Sequence, residues 1–178
     1  GAIGDAQAIP HLAQALQDRD GGVRAAACWA LGEIGDLQAI PHLAQALQDG
    51  YGWVRREACW ALGEIGDAQA IPHLIQALQD EHRQVRSAAC WALGEIGDAR
   101  AISHLIQALQ DEHRQVRSAA CWALGEIGDA RAISHLIQAL KDEDSGVREV
   151  ACEALGRIGD PQAIPHLVQA LQDVWVRK

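Results

Sequence analysis

Cysteine, tryptophan, glutamate and histidine are the side chains here that could do chemistry, and each recurs at one fixed interval. The stretch ACWALGEIGD runs from Ala27 to Asp36 and returns at Ala58, Ala89 and Ala120. At Ala151 it becomes ACEALGRIGD, with Glu153 in place of Trp and Arg157 in place of Glu. Cys28, Cys59, Cys90, Cys121 and Cys152 therefore form one column, Trp29, Trp60, Trp91 and Trp122 a second, and Glu33, Glu64, Glu95 and Glu126 a third. His11, His42, His73, His104, His135 and His166 form a fourth in the other half of the repeat. A zinc site needs ligands that converge at about 2.0–2.3 Å, which residues spaced one per unit, with no CxxC pair, cannot supply. Equivalent helices of neighbouring units pack about 8–10 Å apart, beyond the roughly 7 Å Cα separation a disulfide spans. The thiols are thus expected to be reduced, metal-free packing residues where helices approach closely, with the Gly four positions on, such as Gly94, serving the same approach. Nucleophilic or metal-assisted catalysis has no foothold either: there is no GxSxG elbow, P-loop or HExxH. Catalysis generally needs an asymmetric cluster, and nearly every side-chain type in this chain is periodic. The expectation is no enzyme and no cofactor.

The interval is 31 residues, giving units 4–34, 35–65, 66–96, 97–127 and 128–158, a half unit 159–173 and a tail, VWVRK. Units three and four differ only where Gln69 becomes Arg100 and Pro72 becomes Ser103. Such a period makes residues 1–178 one array of neighbours and not a set of independent domains. The net charge of -9 argues against nucleic acid, whose binding requires Lys and Arg to displace counterions, and favours basic or neutral partners. No long apolar run or secretion signal is present, so a membrane span is not expected. The odd, periodic Cys count does not resemble a secreted disulfide framework and points to a reducing, cytoplasmic setting.

Within a unit, GDAQAIPHLIQALQD spaces Ile71, Leu74, Ile75 and Leu78 as a helix does, and VRSAACWALGEI spaces Val85, Ala89, Ala92, Leu93 and Ile96 likewise. Each unit is therefore read as two antiparallel amphipathic helices, with Asp67 a candidate N-cap of the first and Gly97 a left-handed terminator of the second. Pro72 predicts a bend in the first helix, relaxed where Ser103 and Ser134 replace it. Neither helix can bury its apolar stripe alone, so the units must stack into an all-α solenoid. The histidine column falls on the solvated side of the first helix, and His82 and His113 fall in loops where Asp20 and Asp144 could cap the second.

The pattern GDxxAIPHLIQALxDxxxxVRxxAxxALGxIGD resembles the HEAT-like repeat of the phycobilisome lyase type, and is similar to the artificial alpha-Rep scaffolds built from it. The resemblance implies an α-solenoid with first helices on the convex side and second helices on the concave side. It implies no single function, since such repeats serve as lyase components, assembly factors and binding scaffolds. It also suggests a structural fork between carboxylate and guanidinium, within or across units, for Asp18/Arg24, Asp49/Arg55, Asp80/Arg86, Asp111/Arg117 and Asp142/Arg148. The His-Glu dipeptides that ligate iron in the HEAT-repeat hydroxylases are absent.

On a helical wheel Trp91 lies roughly 145° from the centre of the second helix's core arc, with Glu95 on the same stripe and Gln84, Ser87 and Ala88 completing it. Trp29, Trp60, Trp91 and Trp122, joined by Trp53, are then a surface column beside Glu33, Glu64, Glu95 and Glu126, on the face the family makes concave. Aromatic faces edged by carboxylates suit Lys or Arg side chains, hence a protein or peptide partner with basic segments. The alternative is that each indole lies flat on the neighbouring unit and covers the groove floor. Rival functions are a bilin lyase-related subunit whose groove holds a chromophore, and an idealised or excised scaffold with no natural ligand, as Gly1 without a preceding Met suggests. Glu153 and Arg157 are expected to close the aromatic groove after unit four. Both ends look like internal repeat surfaces, with Gly1, Ala2 and Ile3 matching the end of a second helix, Ile9, Leu12 and Leu16 unshielded and VWVRK starting another; head-to-tail self-association is expected to follow.

Overall fold

The computed structural model describes residues 6–169, and each regular element there is helical. Every unit runs in one order: a three-residue 3₁₀ turn, a seven-residue first helix, a short connection and a fourteen-residue second helix. The first helices are α1 (Ile9–Ala15), α3 (Ile40–Ala46), α5 (Ile71–Ala77), α7 (Ile102–Ala108) and α9 (Ile133–Ala139). The second helices are α2 (Gly21–Ile34), α4 (Gly52–Ile65), α6 (Arg83–Ile96), α8 (Arg114–Ile127) and α10 (Ser145–Ile158). A further 3₁₀ turn, Pro161–Ala163, leads into helix over residues 164–169. No helix among the described residues is long and apolar enough to cross a membrane.

Two backbone devices punctuate each unit. Gly35, Gly66, Gly97, Gly128 and Gly159 end the second helices with φ between 68° and 71°, a left-handed conformation that costs side chains with a Cβ. The following Asp then caps the 3₁₀ turn and not the α-helix: Asp67 accepts from the Gln69 N–H at 2.8 Å, while Ala70 precedes α5 without a side-chain cap. The bend expected from Pro72 is replaced by this turn. Pro10, Pro41 and Pro72 are each the second residue of their α-helix, where the missing donor would have no intrahelical acceptor anyway. Units with Ser103 and Ser134 keep the same turn and the same helix length, so proline accommodates the break without causing it.

Leu43, Leu74, Leu105 and Leu136 of the first helices and Leu31, Leu62, Leu93, Leu124 and Leu155 of the second form the centre of one continuous core. Second helices of adjacent units pack along their whole length, whereas first helices meet their neighbours mainly through the 3₁₀ turns. A helix flanked on both sides by other second helices buries more than the arc facing the first-helix layer. Ala88, expected on the outward stripe, is for that reason buried. At the N-terminal end Ile9 and Leu16 are buried and Leu12 half-buried, whereas Val23 of α2 is exposed although its counterparts Val54, Val85 and Val116 are buried. Ile164 and Val168 of the last half unit are exposed, while Gly1, Ala2, Ile3 and the VWVRK tail lie outside the described residues.

The Asp/Arg fork is resolved as a ladder between units. Arg86 donates through Nε and Nη2 to both carboxylate oxygens of Asp111 in the next unit, at 2.7 and 3.0 Å, and through Nη1 to the Asp80 carbonyl of its own unit at 2.9 Å. Arg24 to Asp49, Arg55 to Asp80 and Arg117 to Asp142 repeat the arrangement. Each guanidinium thus terminates its own first helix and clamps the following unit.

Candidate partner interface on the second-helix face

The Trp and Glu columns both lie on the second-helix side, but identical letters meet different surroundings. Trp60, Trp91 and Trp122 are half-buried and form a strip: Trp60 and Trp91 have ring centroids 4.1 Å apart, tilted by 53°, and Trp91 and Trp122 are stacked at 6.0 Å and 8°. The Trp91 and Trp122 rings lie over Gly63 and Gly94, so close that a Cβ on either glycine would meet Cζ3 at 3.0 and 2.7 Å. Trp91 and Trp122 thus lie against the preceding unit. Trp29 and Trp53 are instead 60% and 53% exposed. They line a cleft of about 490 Å³ between α2 and α4, together with Ala25, Ala26, Asp20, Arg56 and Glu57. Tyr51 packs on Trp53 at 5.1 Å and covers the Arg24 guanidinium at 5.5 Å.

Glu33, Glu64, Glu95 and Glu126 stand exposed beside the strip. Partial burial, then repulsion from Glu126 and Glu64, pushes the Glu95 carboxyl above the usual carboxylate range. The column ends at unit five, where Arg157 Nη1 reaches Glu126 Oε1 at 2.8 Å and Glu153 stands where an indole would extend the strip. Carboxylates in this arrangement gain from a cation that separates them, and indole faces offer it a second attraction.

Unit two departs from the repeat by more than the additional Trp53. Its real signal was the run YGWVRRE, where Tyr51, Trp53, Arg56 and Glu57 replace His82, Gln84, Ser87 and Ala88 of unit three. Three of those four line the cleft.

HEAT repeats match the chain over residues 1–58, 40–115 and 102–178. The chain belongs to the HEAT-repeat family. Its fold recurs in a solved engineered protein at 24% identity and TM-score 0.69, covering 91% of this chain and 84% of that one. The complex of CpcE and CpcF of phycocyanin lyase from Nostoc sp. is similar at 28% identity and TM-score 0.66, over 93% of this chain and 70% of that one. A designed armadillo repeat protein, solved with the peptide (KR)4, is similar at 24% identity and TM-score 0.67, over 91% and 87%. No curated protein matches the chain.

On the core side of the second helices of this HEAT array, Cys28, Cys59, Cys90 and Cys121 are buried and Cys152 half-buried. Burial pushes the Cys28 and Cys121 thiols up to about 12 and those of Cys59 and Cys90 higher still, so none of the four is a thiolate at neutral pH. A chromogenic disulfide reagent added to the native protein is expected to titrate one thiol, Cys152, with the other four released only on unfolding. Rapid native reaction of several thiols would contradict this packing. The histidines sit on the opposite side. His42, His73 and His104 border polar clefts of about 350–420 Å³ between first helices, beside Gln45, Gln76 and Gln107 and the ladder carboxylates. In the loops, Asp20 and Asp144 cap α2 and α10 through their side chains, and His82 and His113 do not cap α6 and α8.

Proposed function

We propose that this HEAT array is a non-enzymatic scaffold that holds an extended basic segment of a partner protein across α2, α4, α6 and α8. The observation that carries the reading is the column of like charges beside an aromatic strip: Glu64 and Glu95 have no cation bonded to them among the described residues, and Glu126 has only Arg157. Lys or Arg side chains of a bound segment would stack on Trp29, Trp53, Trp60, Trp91 and Trp122 and neutralise Glu33, Glu64, Glu95 and Glu126. The designed armadillo protein carries an alternating Lys/Arg peptide on the same class of fold, which is consistent with this chemistry. Calorimetric titration with an octapeptide of alternating Lys and Arg, set against an acidic octapeptide, tests the reading. Binding of the basic peptide alone, weakening as salt rises, is expected; equal affinity for both would overturn it.

Glu95 adds a pH dependence. Its raised pKa means that a cation must bind against a proton, so affinity is expected to fall as pH drops through that raised value. In Glu95→Gln the decline should begin at lower pH, as seen in the same titration repeated in acidic buffers.

The likeness to the CpcE–CpcF complex favours one other reading, a chromophore-handling subunit. A red-shifted visible band on adding a bilin would support it; an unchanged bilin spectrum would remove it.

A further inference from the structure

The cleft between units one and two departs from the repeat of the second-helix face, and resting on the reading above, we infer that it is an anchor pocket for a single Lys or Arg side chain of the bound segment. Its lining includes the exposed indoles of Trp29 and Trp53 together with Ala25 and Ala26. An apolar lining that includes two indoles fits the aliphatic stem of a long cationic side chain, and aromatic rings attract its charged head. Two carboxylates also line it. One oxygen of Asp20 takes the Gly22 N–H at 2.7 Å, leaving the other free to accept, and Glu57 is held by Arg56 at 2.6 Å. Two negative charges against one positive favour a cation over a carboxylate or a neutral aliphatic group.

The pocket is open because of how its neighbours pack. Trp91 and Trp122 each lie over the glycine of the preceding unit, but the nearest atoms to a Cβ on Gly32 belong to Ala61, with no indole among them. Trp60 turns instead towards Trp91, at 4.1 Å. Trp53 lies across the start of α2, where a Cβ on Gly21 would meet its ring at 3.1 Å. Small residues of unit one and large residues of unit two are therefore matched. At the equivalent positions units three and four carry Gln84, Ser87 and Ala88 or Gln115, Ser118 and Ala119, none of which is aromatic. A strictly periodic face would accept a periodic basic segment in several registers. A pocket that departs from the repeat at the first interface selects a single register.

The test compares wild type with Trp53→Gln, which installs the residue that units three and four already carry and so preserves the fold. Two probes are used: the alternating Lys/Arg octapeptide, followed by calorimetry, and Nα-acetyl-arginine amide, followed by the indole N–H resonances. Expected results are a roughly tenfold loss of peptide affinity in Trp53→Gln at unchanged melting temperature, and shifts confined to Trp29 and Trp53 with the small probe. Equal peptide affinity in both proteins would overturn the pocket and leave the groove standing. A wild type that ignores the peptide yet shows Trp53-dependent shifts with the small probe would overturn the groove and keep the pocket. No response to either probe would overturn both.

Discussion

Replacing Arg86 by Ala is expected to destabilise the array by about 3 kcal/mol, the scale for removing one partner of a buried ion pair. Arg86 is 9% exposed, and its loss strips Asp111 of both fork hydrogen bonds, leaving that carboxylate only the His113 N–H at 2.8 Å. The carbonyls of Asp80 and Glu81, which accept from Arg86 at 2.9 and 3.3 Å, lose that donor as well. For a chain of this length such a loss lowers the melting temperature by about 6–12 °C. The ladder also sets the response to acid. Burial pushes the Asp111 carboxyl up, but the Arg86 fork and the His113 N–H outweigh it and hold it below the usual range; Asp80, Asp142 and Asp49 are lowered likewise, Asp49 chiefly by Arg24. A depressed folded value means the contribution is complete above the unfolded carboxylate pKa and is lost as pH falls through the folded one. Wild type should therefore begin to lose stability below about pH 4. In Arg86→Ala, with Asp111 no longer held down, that carboxylate's share of the acid loss disappears, so the stability gap between variant and wild type should narrow as pH falls through the carboxylate range. Thermal melts from pH 3 to 7 measure both effects, and a variant that melts like wild type throughout would show the ladder to be ornamental.

The second large effect concerns Gly94. In an exposed helix, Gly→Ala gains about 0.5–1 kcal/mol, because glycine loses the most freedom on folding. Here the sign is expected to reverse. A Cβ at Gly94 would lie 2.8 Å from the Ala123 Cα and 2.7 Å from Trp122 Cζ3, and the first of these is backbone that moves only if α8 moves. Gly94→Val should cost about 3 kcal/mol, at the upper end for overpacking. It should also unseat Trp122 from its place over the glycine, which changes the tryptophan fluorescence. A Gly94→Val protein as stable as wild type would mean that α6 and α8 are less closely packed than described.

Much of this architecture was legible because it repeats. Spacing alone placed Val85, Ala89 and Leu93 in the core and Gly97 at the helix end, since helical period and capping chemistry are local. What spacing could not supply was the partner across a unit boundary. Asp80 and Arg86 are neighbours in sequence, yet the carboxylate that Arg86 grips is that of Asp111, and Asp80 gives it only a carbonyl. The Trp column shows the same limit. Trp29 and Trp60 occupy equivalent positions, but whether an indole is packed or exposed depends on what the adjoining unit presents. Gly63 and Gly94 each seat a neighbouring indole, whereas Trp60 leans towards Trp91 and leaves Trp29 uncovered. The departure YGWVRRE was visible from the start, but its meaning depended on Gly21, Ala25 and Ala26 standing opposite.

The most direct test of a basic segment lying on the second-helix face is a two-dimensional amide NMR titration, with the indole N–H signals assigned by single Trp→Phe variants and the alternating Lys/Arg octapeptide as ligand. The expected result is that the indole signals of Trp29, Trp53, Trp60, Trp91 and Trp122 move together along one binding isotherm and return towards their free positions as salt is raised. Calorimetric binding of the peptide with all five indole signals unmoved would place the partner elsewhere and contradict the proposal.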